Sequence, residues 1–399
     1  MIDTKPASTA QRDFSTLVLL WLAGSGLRFT LLAVPPLIPL IHSELHLTET
    51  EIGTLGTLPS LLFAAAAIPG SALIARFGAR AALVLGLLLV GFGSAARGAA
   101  IDVGTLYLTT IITAAGIAIM QPSMPPLVRS WLPHRVPFGT ALYTNGLLVG
   151  ETLGVAITLP VVLPLAGGSW RLSLVYWGVP AVLTALLIIF FAPRGEPRKT
   201  GAAPMRWWPN WRDKQLWRLA FCLGCINTCY FATNTFLPDY LTAVGHGEMI
   251  SAALTSLNFC QLPASFLMLG LAPRLVRMPA AYVTTGVLNL IGIIGIATMP
   301  GWPVIGWAGL LGFATAAGLI LVLALPPLLS APEDVHRLAS AMFTISYPCA
   351  ALTSVLGGYL WDVTQISWIA FVPIGFAAAM LAVLPLGIDL RTKPHAAAA

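Results

Sequence analysis

Long apolar stretches separated by short polar loops dominate the chain. The first stretch runs from residue 14 to residue 41 and holds a single charge, Arg28, near its middle. About 20 apolar residues cross ~30 Å of hydrocarbon as a helix, at ~1.5 Å per residue. Stretches of this length therefore predict membrane-spanning helices. Twelve are predicted, at residues 14–41, 51–74, 80–98, 105–128, 137–165, 170–192, 216–243, 249–272, 279–299, 303–329, 338–361 and 366–389.

The composition places the chain among polytopic, all-α membrane proteins. Of 399 residues, 57% are hydrophobic and 9% are charged, whereas soluble domains carry about 25% charged residues. No cleaved signal peptide is expected, because residues 1–13 are polar and the first apolar stretch is long enough to span the membrane. The five cysteines fall within predicted spans, where packed thiols are favoured over zinc ligands or disulfides.

A basic, proline-rich segment with several tryptophans divides the chain after the sixth span. We predict an N-terminal six-helix bundle at 1–192, a cytoplasmic linker at 193–215 and a C-terminal six-helix bundle at 216–399. Short motifs recur at corresponding positions of the two halves, as in Met124-Pro-Pro-Leu-Val128 and Leu325-Pro-Pro-Leu-Leu329. Two related bundles around a site at the membrane midplane form the architecture of many secondary transporters.

The placement of the basic residues predicts the orientation in the membrane. Eighteen of the 21 Lys and Arg lie on one side if both termini and the even-to-odd loops share that side. The positive-inside rule then places both termini in the cytoplasm of a bacterial-type inner (plasma) membrane. The acidic loop at 43–51 lies outside. Of the three remaining basic residues, Arg97 and Arg171 are assigned to the outer side and Arg28 to the membrane interior.

Several motifs resemble the major facilitator superfamily. Arg76-Phe-Gly-Ala-Arg80, between spans two and three, is similar to its cytoplasmic signature. Ala75 stands where that signature usually has an acidic residue, which removes one partner of the gate latch found elsewhere in the superfamily. The resemblance covers nearly the whole chain, and it implies a twelve-helix fold of two six-helix bundles.

Within that superfamily, the chain most resembles the cyanate and 2-nitroimidazole transporter family. Leu27-Arg28 on span one, Gly116-Ile-Ala-Ile-Met-Gln121 on span four and Gln261-Leu-Pro263 on span eight carry this resemblance. The family usually has Asn before Leu-Arg and Pro after it, and here these residues are Gly26 and Phe29. Because these positions flank the expected pocket, the substrate need not be cyanate.

Two intramembrane charges are candidates for function. A central arginine costs at least ~2.5–3.5 kcal/mol to insert, so Arg28 is expected beside water, a partner or an anionic ligand. Its planar fork suits a carboxylate or a similar group. Glu151, in the middle of span five, suits proton coupling, because an isolated buried carboxylate tends to take up a proton. The alternative for both residues is a fixed structural ion pair with each other.

Uncharged polar side chains at similar depth point to a shared cavity. Asn227, Tyr230 and Asn234 fall on one face of span seven, with spacings of three and four residues. The alternative role of such side chains is hydrogen bonding between helices. The predicted substrate-binding residues are Arg28, Gln121, Tyr143, Asn227, Tyr230, Asn234, Asn258, Gln261 and Tyr347.

A repeat of small residues predicts close helix packing on span five. Gly146, Gly150 and Gly154 recur every four residues, and such a face lets another helix approach closely.

The sequence favours a secondary active transporter that moves a small anion or a small polar, including aromatic, solute by alternating access. Glu151 is its candidate proton-coupling residue. A proton-driven drug efflux antiporter and a solute sensor that does not transport are the alternatives. An enzyme is not expected, because no nucleophile–base pair, metal-ligand set or phosphate loop is visible. We expect a monomer in the lipid bilayer that binds a small-molecule substrate and, if coupled, protons, with no cofactor and no nucleic acid.

The predicted orientation can be tested by cysteine labelling. In a cysteine-free background, Thr48→Cys should react with a membrane-impermeant maleimide added outside right-side-out vesicles, because the loop at 43–51 is predicted to be external. Lys199→Cys in the linker is the control and should react only after the vesicles are opened. Labelling of Thr48→Cys from the cytoplasmic side alone would overturn the orientation.

Overall fold

A computed structural model describes residues 9–47, 49–193, 206–388 and 390, so that Thr48 and most of the predicted linker lie outside the described residues. Within these ranges the chain is helical and has no strand. The helices form twelve segments: α1 (Thr9–Gly26, Phe29–Leu32 and Ile38–Leu45), α2 (Glu49–Phe77), α3 (Ala79–Gly98), α4 (Val103–Trp131), α5 (Val136–Ala156 and Thr158–Leu165), α6 (Trp170–Phe191), α7 (Lys214–Ala243), α8 (Ile250–Phe259 and Gln261–Leu275), α9 (Pro279–Thr298), α10 (Pro303–Leu323 and Leu325–Leu329), α11 (Val335–Thr364) and α12 (Phe371–Val383).

The twelve segments match the twelve predicted spans in order and approximate position. Eleven of those described are long and apolar enough to cross a membrane, when the two parts of α5 count as one span. The remaining segment, α7, is more polar because it carries several Asn and Thr residues. It packs among α10, α11 and α12, so its polar side chains face other helices rather than lipid alone.

The first span is not the continuous helix that the sequence predicts. The α-helical backbone stops after Gly26 and resumes at Phe29, and Arg28 lies in the break with φ −133° and ψ −33°. A second interruption follows at Pro35–Leu37, where a short 3₁₀ turn replaces the α-helix. Glycine weakens a helix interior by roughly 0.5–1 kcal/mol, and proline removes a backbone donor. These residues therefore allow α1 to break beside its only charge within the membrane.

The fifth span also departs from a single straight helix. Its two parts, Val136–Ala156 and Thr158–Leu165, meet at an angle of 54°. The residues Thr158–Val162 form a π-helical turn that contains Pro160. Because proline cannot donate to the preceding turn, a bend at this point is expected from local chemistry. The bend lies one and a half turns beyond Glu151.

Contacts between the segments sort largely by half of the chain. In the first half α1 packs on α5, α2 on α4, and α3 on both α4 and α6. In the second half α7 packs on α11 and α12, α8 on α10, and α9 on α10 and α12. The halves meet mainly where α2 and α4 contact α11 and where α5 contacts α8. The bundle boundaries at 192 and 216 stay a prediction.

The glycine face of α5 lies directly against the backbone of α1, which confirms the predicted close packing. A Cβ atom added at Gly146 would lie 2.3 Å from the carbonyl oxygen of Trp21, and one added at Gly150 would lie 2.5 Å from that of Ser25. Gly154 has a similar contact with Phe29. Real Cβ atoms do not approach a carbonyl this closely. The contact therefore fixes α1, with its break, against the helix that carries Glu151.

Gly150→Ala should destabilise the protein, because the added methyl group must push the two backbones apart. Overpacking of this kind costs about 1–3 kcal/mol. The apparent melting temperature of purified protein in detergent should fall. Gly270→Ala in α8 is the matched control, since nothing lies within 4 Å of a Cβ added there. Equal melting temperatures for the two variants would show that the close α1–α5 contact does not contribute to the stability of the protein.

Candidate functional site

A cavity of about 700 Å³ lies between the two halves of the chain. We call the end of the bundle near residues 129–135 the inner end and the opposite end the outer end, following the predicted orientation. The lining extends from Arg28 at mid-span to Ile38 near the outer end of α1, and we call this space the outer cavity. Six of the ten predicted site residues line it, namely Arg28, Glu151, Tyr230, Asn234, Asn258 and Gln261.

The other four predicted residues line a smaller space on the inner side. This inner pocket holds about 50 Å³, and it shares Arg28, Glu151, Tyr230 and Gln261 with the outer cavity. Its lining adds Gln121, Tyr143, Asn227 and Tyr347. The structure thus brings all ten residues to two adjoining spaces. Their roles in binding and coupling stay a prediction.

Arg28 faces the boundary of the two spaces without a carboxylate in contact. Its guanidinium carbon lies 5.5 Å from the ring centroid of Phe63, a distance at which the cation attracts the aromatic face. Phe63 in turn packs on Tyr347, with centroids 5.2 Å apart. Among the described residues, Arg28 forms no ion pair within 4.0 Å and its Nε has no hydrogen-bond partner. In this arrangement Arg28 and Glu151 are not a contact ion pair.

Glu151 belongs instead to a hydrogen-bonded chain that crosses between the halves. The Tyr230 hydroxyl lies 2.6 Å from Glu151 Oε1 and 2.6 Å from Asn258 Oδ1. Asn258 Nδ2 donates to Asn234 Oδ1 at 3.1 Å. A hydroxyl has one proton, so Tyr230 donates to only one of its two acceptors at a time. If Glu151 is ionised, it accepts from Tyr230. If Glu151 is protonated, it donates to Tyr230, which then donates to Asn258.

Arg97 is the functional candidate that the sequence analysis misplaced. We assigned it to the outer side with the loop charges, but only 1% of it is exposed, and it lines the outer cavity from the last turn of α3. Its Nη2 donates to the Thr30 carbonyl at 2.9 Å. The neighbouring residues in the sequence already indicate burial of Arg97. Ala95, Ala96, Gly98 and Ala99 are small and apolar, unlike the residues of a solvated loop.

Further hydrogen bonds between the halves lie on the inner side of the outer cavity. Gln121 Nε2 on α4 donates to the Tyr347 hydroxyl on α11 at 2.8 Å. Asn145 Nδ2 on α5 donates to Ser265 Oγ on α8 at 2.9 Å, and its Oδ1 accepts from Trp21 Nε1 at 2.9 Å. Asn145 is buried and connects three helices, but it is not among the site residues predicted from the sequence. These bonds separate the outer cavity from the inner end.

The inner end is closed by arginine and linker contacts. Arg129 Nη1, at the end of α4, donates to the carbonyls of Pro327 and Ser330, which terminate α10. The described part of the linker lies across both halves. The Trp207 carbonyl accepts from Ser71 Oγ, and the Trp208 carbonyl accepts from a side chain on α11, each at 2.8 Å. The inner side is thus closed while the outer cavity extends towards the outer ends of the helices.

The signature segment between α2 and α3 forms contacts within the first half at the inner end, rather than between the halves. Arg80 Nη2 donates to the carbonyls of Ile188 and Ile189, at 2.9 and 2.8 Å, and thereby caps the inner end of α6. Ala75, at the position of the usual acidic residue, has no charge to offer an arginine. Backbone carbonyls are therefore the acceptors that Arg80 and Arg129 use at the inner end.

Comparison with known sequences agrees with this architecture. The profile of the Major Facilitator Superfamily matches residues 20–330. The chain is 26% identical to the cyanate transport protein CynX of Escherichia coli (strain K12), over 87% of this chain and 92% of that protein. It is 27% identical to the 2-nitroimidazole transporter of the same organism, over 84% of this chain and 85% of that protein.

The fold is also that of solved transporters. The crystal structure of the E. coli fucose:proton symporter FucP superimposes with a TM-score of 0.72, covering 94% of this chain and 97% of the symporter. Identity over this superposition is 15%, so the likeness concerns the fold alone.

Proposed function

Because this chain belongs to the Major Facilitator Superfamily and is one of its transporters, not an enzyme, we propose that it carries small anions. The observation that carries this proposal is the environment of Arg28. A guanidinium held inside a membrane protein without a carboxylate in contact is costly, and an anionic ligand supplies the missing charge. The planar fork of arginine can bind a carboxylate or a related oxyanion through two parallel hydrogen bonds.

The rest of the cavity suits a small ligand with a limited polar surface. Its lining is mostly apolar, and its three amide side chains, Asn234, Asn258 and Gln261, all come from α7 and α8. Ligand sites commonly combine apolar walls with a few placed polar groups, which set the orientation of the ligand. We propose that Arg28 binds the charged end of the anion and that these amides bind its remaining polar atoms.

A neutral, planar aromatic solute is the second candidate. Tyr347 lies between the rings of Phe63 and Phe231, with centroid distances of 5.2 and 6.3 Å. Such a wall can stack on a flat heteroaromatic ring. The two relatives named above transport one molecule of each class, cyanate and 2-nitroimidazole, so their names do not decide between them. Arg28 favours the anion.

We propose that transport proceeds by alternating access in a bacterial-type inner membrane, with both termini in the cytoplasm. The closed inner end and the cavity on the outer side correspond to an outward-facing state in the predicted orientation. Rocking of the halves would separate Gln121 from Tyr347, Asn145 from Ser265, and Arg129 from the end of α10. The same helices carry the proposed binding groups, so ligand contacts can bias this motion.

Proton coupling through Glu151 is part of the proposal. The Glu151–Tyr230–Asn258 chain accommodates an ionised and a protonated carboxyl group, because the hydroxyl between them can reverse its donation. Since the chain joins α5 to α7 and α8, the protonation state of Glu151 sets the direction of donation in a hydrogen bond between the halves. This supports a role in coupling.

Arg28→Ala should weaken anion binding by at least the ~1.5–3 kcal/mol of a hydrogen bond to a charged group, which is roughly tenfold or more. Arg28→Lys keeps the charge without the planar fork and should have a smaller effect. Binding can be measured as the thermal shift of purified protein with cyanate, nitrate and benzoate, and benzamide serves as a neutral analogue of benzoate.

The matched control for these variants is Arg171→Ala. Arg171 is on the outer side, forms an ion pair with Glu44 at 2.9 Å and does not line the outer cavity. Its loss should leave anion affinity unchanged. If Arg28→Ala folds and binds the anions as tightly as the wild type, the arginine is structural and the neutral aromatic solute becomes the better proposal.

Glu151→Gln should separate exchange from coupled accumulation. In proteoliposomes this variant should exchange the anion but should not accumulate it under a pH gradient, because glutamine cannot carry the proton. Tyr230→Phe, which removes only the hydroxyl, should lower gradient-driven accumulation less than Glu151→Gln does. Undiminished gradient-driven uptake by Glu151→Gln would remove Glu151 from the coupling mechanism.

A further inference from the structure

The outer cavity contains a second buried guanidinium that the proposed function has not used. Arg97 lines the cavity with only 1% of its surface exposed. Among the described residues it forms no ion pair, and its Nε has no hydrogen-bond partner. An uncompensated buried cation is as costly here as at Arg28. Like Arg28, Arg97 therefore has no carboxylate in contact among the described residues.

A purely structural role explains one hydrogen bond of Arg97 but not its buried positive charge. Its Nη2 donates to the Thr30 carbonyl, which satisfies one acceptor in the broken region of α1. Arginine has five N–H donors, and a neutral glutamine could serve a single carbonyl without a buried charge. The Thr110 hydroxyl, which also lines the cavity, likewise has no partner among the described residues. Two helices, α3 and α4, thus each contribute a buried polar group without a partner to the lining of this cavity.

Arg97 and Arg28 approach the same short piece of chain. Thr30 is two residues from Arg28, and two residues span at most about 7 Å. The Arg97 guanidinium, 2.9 Å from the Thr30 carbonyl, therefore ends near the Arg28 backbone while both side chains face one space. Both arginines thus line the part of the outer cavity that lies beside the break in α1.

The charges that line the outer cavity are unbalanced. Among the described lining residues, Arg28 and Arg97 are basic and Glu151 alone is acidic. A ligand with two negative charges, together with a proton on Glu151, balances both arginines. Because each guanidinium can form hydrogen bonds with its own oxyanion group, a dianion gains a second set of charge-assisted bonds that a monoanion cannot form.

We propose that Arg97 forms a second anion subsite in the outer cavity, so that the preferred ligands are short dianions whose two oxyanion groups bind Arg28 and Arg97. This inference rests on the proposed function, since it takes Arg28 as the first anion-binding group. It narrows the substrate class from small anions to short dicarboxylates and related dianions.

The test compares acetate with oxalate, malonate and succinate, which differ in the number and spacing of their carboxylates. Dissociation constants are measured by thermal shift on purified full-length protein at pH 8, where all four probes are fully ionised. In the wild type the best dicarboxylate should bind at least about tenfold more tightly than acetate, as expected for one further bond to a charged group. Arg97→Gln should remove this preference and leave acetate binding within a few-fold of the wild type.

Arg277→Gln is the control, because it removes an exposed basic residue that does not line the cavity, and it should keep the dicarboxylate preference. A structural role alone for Arg97 would lower the melting temperature of the unliganded variant but keep the wild-type ratio of affinities. If Arg97→Gln does not fold, the wild type alone still tests the proposal, because a dicarboxylate preference below about tenfold contradicts it. Arg97→Lys, which keeps the charge, should retain part of the preference.

The outcomes separate this inference from the proposed function. If acetate and the dicarboxylates bind the wild type with similar affinity, the second subsite is wrong and the anion proposal stands. If no carboxylate binds and the neutral benzamide does, the anion proposal itself fails. If the dicarboxylate preference persists in Arg97→Gln, the second charge is bound elsewhere and the assignment to Arg97 is overturned.

Discussion

The organisation of this protein depends on the cost of keeping a guanidinium inside a membrane. Arg28 is tolerated because α1 breaks beside it and because the side chain faces a cavity rather than lipid. The break is held in place from outside α1, by the glycine face of α5, whose residues Gly146 and Gly150 admit no Cβ atom. Backbone packing therefore positions the charge, and the charge in turn requires a compensating ligand or water.

Several polar side chains around the cavity form hydrogen bonds between the two halves, so the site depends on how the halves are positioned. Glu151 and Asn258 belong to different halves and meet at the Tyr230 hydroxyl. Gln121 and Tyr347 likewise join the halves on the inner side of the cavity. A ligand that competes for any of these groups changes contacts between the halves. Under the proposed function, this competition would couple ligand binding to the relative position of the halves.

The sequence predicted those features that follow from local patterns. Span number and order follow from the length of apolar stretches, and the α1–α5 packing follows from the spacing of three glycines. The broken α1 was not predicted, because Gly26 and Pro35 are also tolerated in continuous membrane helices. Arg97 was misplaced for a different reason. A basic residue near a predicted helix end is usually solvated, and only the tertiary approach of the Thr30 carbonyl shows that this one is buried.

We propose that this transporter moves anions through the cavity at Arg28, and counterflow in proteoliposomes measures that movement. Purified protein is reconstituted with unlabelled acetate or malonate inside, and uptake of the same labelled anion is compared with uptake of labelled acetamide under matched conditions. The account predicts rapid exchange of the anions, no exchange of acetamide above empty liposomes, and loss of anion exchange in Arg28→Ala. Exchange of acetamide at the rate of the anions, or binding of the anions without any exchange, would contradict it.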